Sequence, residues 1–229
     1  RCLTALAQVL SAAHEYARAR DVAAEAAPLL RTTAVDIPTP ERSGMLFATQ
    51  AVGAEALAEL GDLDSADDWL NRERSLRPRA LPDATSDARI AVATGLVFIA
   101  RNRGAMARRR VAPLLVDQDL PTHMTRRALR VEGQAVLLAN DYAAAHVAST
   151  QLLARPATGV AIQDLVAVGW GLLTRCEAFL GEGRAAAAAD ALTSLVGRMV
   201  AACEADRHLQ GTTALVSLRA DIAALRTRV

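Results

Sequence analysis

Apolar positions along the chain fall at helical spacing rather than in alternation. From Cys2 to about Arg20, Leu3, Leu6, Val9, Leu10 and Ala13 lie on one helical face. The same reading predicts a second helix from Asp21 to about Arg31 and a third from Ser43 to Leu60. Gly61 to Pro78 forms the partner of that third helix. A further helix opens with Thr85 or Ser86 as its N-cap, runs to about Arg103 and turns at Gly104. Its partner ends before Asp117 to Pro121. Thr122 opens a helix to Ala139 that turns at Asn140-Asp141, and its partner stops at Pro156. Val160 to Leu180, residues 184–206 and residues 208–229 complete the set. Residues 34–42, with two prolines, and 78–86 read as loops.

These helices pair into hairpins at about 1–33, 43–78, 86–117, 122–155 and 160–206, with a last helix over 207–229. Their starts are spaced by roughly 36 to 48 residues, the signature of stacked two-helix units. Each hairpin has an apolar face that it cannot bury alone and that its neighbour covers. The best-defined segment is GDLDSADDWLNRERSLRP, 61–78. Gly61 frees the turn, Asp62 accepts from the unpaired amides of the new helix, and Pro78 ends it.

With its Gly-Asp turn, small residue Ala66 and closing Pro78, this segment resembles the second half of a tetratricopeptide repeat (TPR). ANDYAAAHVASTQLLARP, 139–156, resembles it too, with Asp141-Tyr142, Ala145 and Pro156 in matching places. Gly133, and Ala54 in the earlier copy, take the small-residue position where the family's two helices pack closest. The copies around Gly104 and Gly183 are degenerate, the first with Arg where a small residue belongs. The resemblance implies an all-α, right-handed superhelix of TPR-like hairpins over 1–206. The alternative is an unrelated helical bundle.

In the last helix Leu215, Leu218, Ile222, Leu225 and Val229 step by 3 and 4, a seam of two heptads. It reads either as a cap over the last hairpin or as the start of a coiled coil that joins two chains.

Composition narrows the chemistry. The apolar content is mostly Ala, Leu and Val, which favours helix over strand. Net charge is +1, so no global field draws the chain to nucleic acid or membrane. No 18-residue apolar run is evident in the sequence. The start at Arg1 suggests a fragment. Every basic residue is Arg, as GC-rich codon usage would produce. His14, His123, His146 and His208 lack ligand spacing, and no phosphate loop, HExxH, CxxC or nucleophile elbow occurs. Cys2, Cys176 and Cys203 point to a reducing compartment; Cys176 and Cys203 are expected roughly 20 Å apart, beyond bridging.

Charge is distributed unevenly. Residues 43–71 carry Glu55, Glu59, Asp62, Asp64, Asp67 and Asp68 and no base. Residues 101–130 carry Arg101, Arg103, Arg108, Arg109, Arg110, Arg126, Arg127 and Arg130 against Asp117 and Asp119. Such arginines are either a solvated face or a groove for carboxylates or phosphates. Arg101, Arg108, Arg109, Arg126, Arg127 and Arg130 are the candidate contact residues. No aromatic is interleaved among them to stack bases. Trp69 and Trp170 read as packing residues.

The expected function is binding without catalysis, metal or cofactor. The resemblance implies a cytoplasmic sensor module of a bacterial signalling or transcription-regulatory protein. It would bind a peptide, protein or small anionic ligand and bias an attached diguanylate cyclase or DNA-binding domain. The alternatives are self-association through Leu215, Leu218, Ile222 and Leu225, and an enzyme on a helical scaffold.

Overall fold

The computed structural model describes residues 1–32, 39–76, 83–155, 157–206 and 213–228. Among these residues the chain forms eleven α-helices and no strand. They are α1 (Cys2–Ala12), α2 (Tyr16–Thr32), α3 (Thr39–Glu59), α4 (Leu63–Leu76), α5 (Ala84–Ala100) and α6 (Gly104–Val116). Then come α7 (Thr122–Leu138), α8 (Tyr142–Ala154), α9 (Ala161–Gly181), α10 (Ala185–Ala205) and α11 (Thr213–Arg226). They form two compact units, Arg1–Ala100 and Arg101–Val229. The hairpin expected at 86–117 therefore has its two helices in different units.

One turn geometry recurs. A single residue in the left-handed region follows α1, α3, α5, α7 and α9: His14, Gly61, Asn102, Asn140 and Gly183, with φ between 55° and 79°. At four of these turns the next amide reaches back five residues: Glu15 to Leu10, Asp62 to Leu57, Asp141 to Val136 and Arg184 to Phe179. That bond satisfies a carbonyl that the helix end leaves orphaned, the arrangement of a Schellman motif. A small residue five positions after the left-handed one is fully buried each time: Ala19, Ala66, Ala107, Ala145 and Ala188. Each donates its amide to the carbonyl of the capping position, Glu15, Asp62, Arg103, Asp141 or Arg184. In the four pairs that lie within one unit, α1–α2, α3–α4, α7–α8 and α9–α10, buried alanine at that place lets the second helix lie close against the first. The Asp141 side chain caps α8 through the amide of Ala144, and Asp62 does the same for Ser65.

Several boundaries differ from the sequence reading, each for a local reason. The first turn lies at His14 rather than near Asp21. His tolerates the left-handed region better than most side chains, and its Nδ1 is 2.6 Å from the Tyr16 hydroxyl. The third turn lies at Asn102, two residues before Gly104, which places Ala107 and not an arginine at the small-residue position. Gly104 serves a close approach instead: an added Cβ would stand 2.7 Å from the Ala135 carbonyl oxygen of α7. Pro40 belongs to α3, in its first turn, where a missing amide hydrogen removes no helical bond. Asp83, rather than Thr85 or Ser86, caps α5 by accepting from the Thr85 amide and the Ser86 hydroxyl. The stops expected at Pro78 and Pro156 lie outside the described residues.

In the first unit α3 is central, packed by α1, α2, α4 and α5. Thirteen consecutive residues, Leu46–Ala58, are buried, so this stretch of α3 has no solvent face. Its polar members therefore need internal partners. Thr49 meets Thr4 hydroxyl to hydroxyl at 3.0 Å. Glu55 accepts from Ser11 at 2.9 Å and from Arg89 of α5. Gly53 makes room for the Trp69 ring of α4, whose carbons would stand 2.2 Å from an added Cβ. That glycine, next to Ala54, is the close approach in this hairpin.

In the second unit α7 packs on α6, α8 and α9, and α9 on α8, α10 and α11. Gly133 meets Thr174 of α9, with 3.0 Å from an added Cβ to Cγ2, and so faces the next hairpin rather than its own partner α8. Leu215, Leu218, Ile222 and Leu225 are 0% to 6% exposed, in one core with Leu165, Leu172 and Leu195. The C-terminal seam is thus buried within its own unit, as the side of a cap facing its hairpin would be. Cys176 and Cys203 are buried in the same core as free thiols.

Candidate functional site

The first helices of successive hairpins in the second unit, α7 and α9, and the closing helix α11 stand side by side and enclose a cavity of about 170 Å³. Its polar lining comes from Arg130 and Gln134 on α7, Glu177 on α9, and Asp221 and Arg228 on or just past α11. Trp170 supplies an aromatic wall. The Arg130 guanidinium lies 4.4 Å from the centroid of the Trp170 ring, over its face. Cation–π contact of this kind holds the guanidinium plane fixed. Arg228 Nη1 is 3.9 Å from Glu177 Oε1. Gln134 Oε1 is buried without a hydrogen-bond partner among the described residues.

Both acids of the cavity hold their protons more firmly than usual. Burial pushes the Glu177 carboxyl up, Arg228 opposes this, and Asp221 pushes the same way. Burial likewise raises Asp221, against the pull of Arg130. Two cations, two reluctant carboxylates, an indole and an amide oxygen thus converge on one concave place. Around them stand the apolar side chains of Leu137, Leu173, Ala224 and Leu225.

The six arginines expected to share a groove do not do so. Arg101 and Arg109 are exposed. Arg108 pairs with Glu132 on α7 at 2.7 Å between Nε and Oε1. Arg126 and Arg127 are 5% and 2% exposed. Arg126 donates to Asp164 Oδ1 at 2.6 Å and to the Arg155 carbonyl at 3.4 Å. Asp164 also accepts from the Thr158 amide and hydroxyl at 2.8 and 2.9 Å. Burial acts to raise the Asp164 carboxyl, but these donors outweigh it and hold it below its ordinary value. The cluster therefore splits into an outer face on α6 and the turn before it, an internal staple on the second turn of α7, and Arg130 in the cavity.

The reason lies in the packing of α7. Helices on several sides leave little outer surface, so Arg126 and Arg127 fall between Met124, Ala128 and Leu129, all buried. Their position inside an apolar run was the available signal. Glu177, Asp221, Gln134 and Arg228 carried none, because they meet only when α7, α9 and α11 are brought together.

The acidic stretch is also divided. Glu55 is fully buried against Arg89, while Asp62, Asp64 and Asp68 are exposed. Among the described residues no group of three or more His, Cys, Asp or Glu side chains is placed to hold a metal ion.

One helix, α10, is long enough, with a mean hydropathy of 1.3, to meet the length and composition of a membrane-crossing segment. Its apolarity is largely alanine, it carries Asp190 and Arg198, and Ala188, Leu192, Leu195 and Met199 face the core.

No family model matches the chain, and no curated protein matches it.

Proposed function

We propose that the chain is a TPR-like interaction module that binds a peptide segment of a partner protein at the cavity between α7, α9 and α11. Through that binding it would regulate an attached output domain of a signalling or transcription-regulatory protein. The observation that carries this reading is the convergence of Arg130, Trp170, Glu177, Asp221 and Arg228, from the first helices of two hairpins and the closing helix, on one cavity. The inner surface of a stacked helical array is made by such first helices, and these arrays bind extended ligands there. Four packed helix pairs, α1–α2, α3–α4, α7–α8 and α9–α10, each joined by a turn through a left-handed residue with a buried alanine after it, support the repeat itself. A peptide offers what the cavity can read: carboxylates or carbonyls for the guanidiniums, and amides or amines for Glu177 and Asp221. Helix-saturated walls confine all recognition to side chains.

The experiment is selection from a random peptide display library on the full chain, with counter-selection on an Arg130→Gln/Arg228→Glu variant. Circular dichroism verifies the fold of that variant. Peptides enriched on the parent and rejected by the variant support the reading. Failure to enrich any such peptide overturns it.

A further inference from the structure

On the other side of α11 lies a second cavity, about 450 Å³, between α10 and α11. Its floor and walls are apolar: Val196, Met199, Val200 and Cys203 on α10, Ile222 and Ala223 on α11. A shallower recess of about 230 Å³ shares Val196 and Arg226 with it and continues along α10 past Leu192 to Ala189. The lining positions of α10 thus recur every three or four residues from Ala189 to Glu204 and form one straight trough, apolar except for Thr193 and Glu204. At a rise of ~1.5 Å per residue the trough is roughly 20 Å long.

Two features mark this trough as more than a gap at the end of the fold. Val200 is 50% exposed within it, so apolar surface is left open to water. Arg219 and Arg226 stand along its α11 side, and Glu204 is its one acid. Among the described residues neither arginine makes an ion pair; the one polar contact of Arg219 is a 3.9 Å approach to the Cys203 sulfur. The arginines are two helical turns apart, about 10 Å along α11, so their long side chains can meet on one anion between them.

We infer that this trough binds a medium-chain alkyl carboxylate, its tail along α10 and its carboxylate on Arg219 and Arg226. Three observations choose this occupant. The volume lies in the range of small-molecule sites, about 300 to 1,000 Å³. The shape is linear, which suits an unbranched chain. Apart from Thr193, Glu204, Arg219 and Arg226 the trough is lined by apolar side chains and Cys203, so most amides of a peptide laid there would lose water without gaining partners. An alkyl chain has no such groups. Guanidinium pairs are the usual recognition of a carboxylate. The site is separate from the cavity of the proposed peptide site and does not depend on that reading.

The test is calorimetric titration of the full chain with hexanoate, octanoate and decanoate below their micelle concentrations, beside decanol. Saturable binding should tighten about fourfold per added methylene, until the trough is full. Arg219→Gln/Arg226→Gln should weaken decanoate about tenfold or more, as loss of charge-assisted hydrogen bonds does. Ala223→Trp, at an exposed position, should abolish binding by filling the trough while the melting temperature holds. Absence of saturable binding overturns the inference, as does decanol binding as tightly as decanoate or full affinity in the double variant. Sedimentation supplies a further check. A dimer that Ala223→Trp dissociates and decanoate leaves intact would make a second copy the occupant, and would also overturn it.

Discussion

Replacing Arg89 by Met tests the buried polar layer that locks α1, α3 and α5 together. Arg89 is 3% exposed and Glu55 0%. Arg89 Nη1 donates to Glu55 and, at 2.7 Å, to the Ser11 hydroxyl, which donates in turn to Glu55 at 2.9 Å. Methionine fills much of the arginine's volume but leaves the Glu55 carboxylate buried without its counter-charge. Breaking one side of a buried pair costs about 3 to 5 kcal/mol. Whole domains are stable by only about 5 to 15 kcal/mol. With a urea slope of about 2 kcal/mol per molar, the midpoint should fall by roughly 2 M. The decisive variant is Glu55→Met/Arg89→Met. Two apolar groups of similar size remove both desolvated charges, so the double variant should be near the parent or above it. Chemical denaturation followed by circular dichroism reads all four corners of the cycle. The reasoning is refuted if each single change costs under about 1 kcal/mol, or if the double variant is as unstable as the two singles added together.

Three further outcomes follow from the same geometry. Ala107→Leu should cost about 1 to 3 kcal/mol through overpacking, whereas Ala105→Leu, on the exposed side of α6, should change the melt by under about 0.5 kcal/mol. Asn102→Gly should be neutral or stabilising by up to about 1 kcal/mol, while Asn102→Val should cost at least about that much, because its backbone is left-handed with φ of 57°. Asp164→Asn should destabilise the chain at neutral pH. The carboxyl is held below its ordinary value, so its stabilisation is complete above an unfolded pKa of about 3.9 and disappears as pH falls through the folded value. Parent and variant melts measured from pH 7 down to pH 2 should therefore converge at the acid end.

Much of the helical plan was legible because its punctuation is chemical. Gly61-Asp62 and Asn140-Asp141 pair a residue that accepts a left-handed backbone with a residue that caps the next helix, and both turns lie at those positions. Where the left-handed residue is His14 or Asn102 the signal is weaker, and a nearby Gly104 drew the turn two places along. The heptad seam illustrates a limit of periodicity. Leu215, Leu218, Ile222 and Leu225 have the same spacing whether they face another chain or their own core, and only the packing of α11 on α9 decides. Arginine runs are equally ambiguous: Arg108 and Arg109 are outside, Arg126 and Arg127 inside. Pairs such as Glu55 with Arg89 or Glu177 with Arg228 join residues far apart in the chain. No local pattern specifies them. The candidate cavity is built entirely of such long-range meetings, which is why Arg130 alone of its polar groups was singled out from the sequence.

The most direct test of the binding reading uses Trp170 as its own reporter. In a Trp69→Phe background it is the one remaining tryptophan of the chain. Its ring carries the Arg130 guanidinium and forms a wall of the cavity. Titration of a display-selected peptide should change Trp170 emission saturably, and Arg130→Gln/Arg228→Glu should remove that change while the helical signal persists. Emission that stays constant at saturating peptide, or the same response in the variant, would contradict the assignment of this cavity as the binding site.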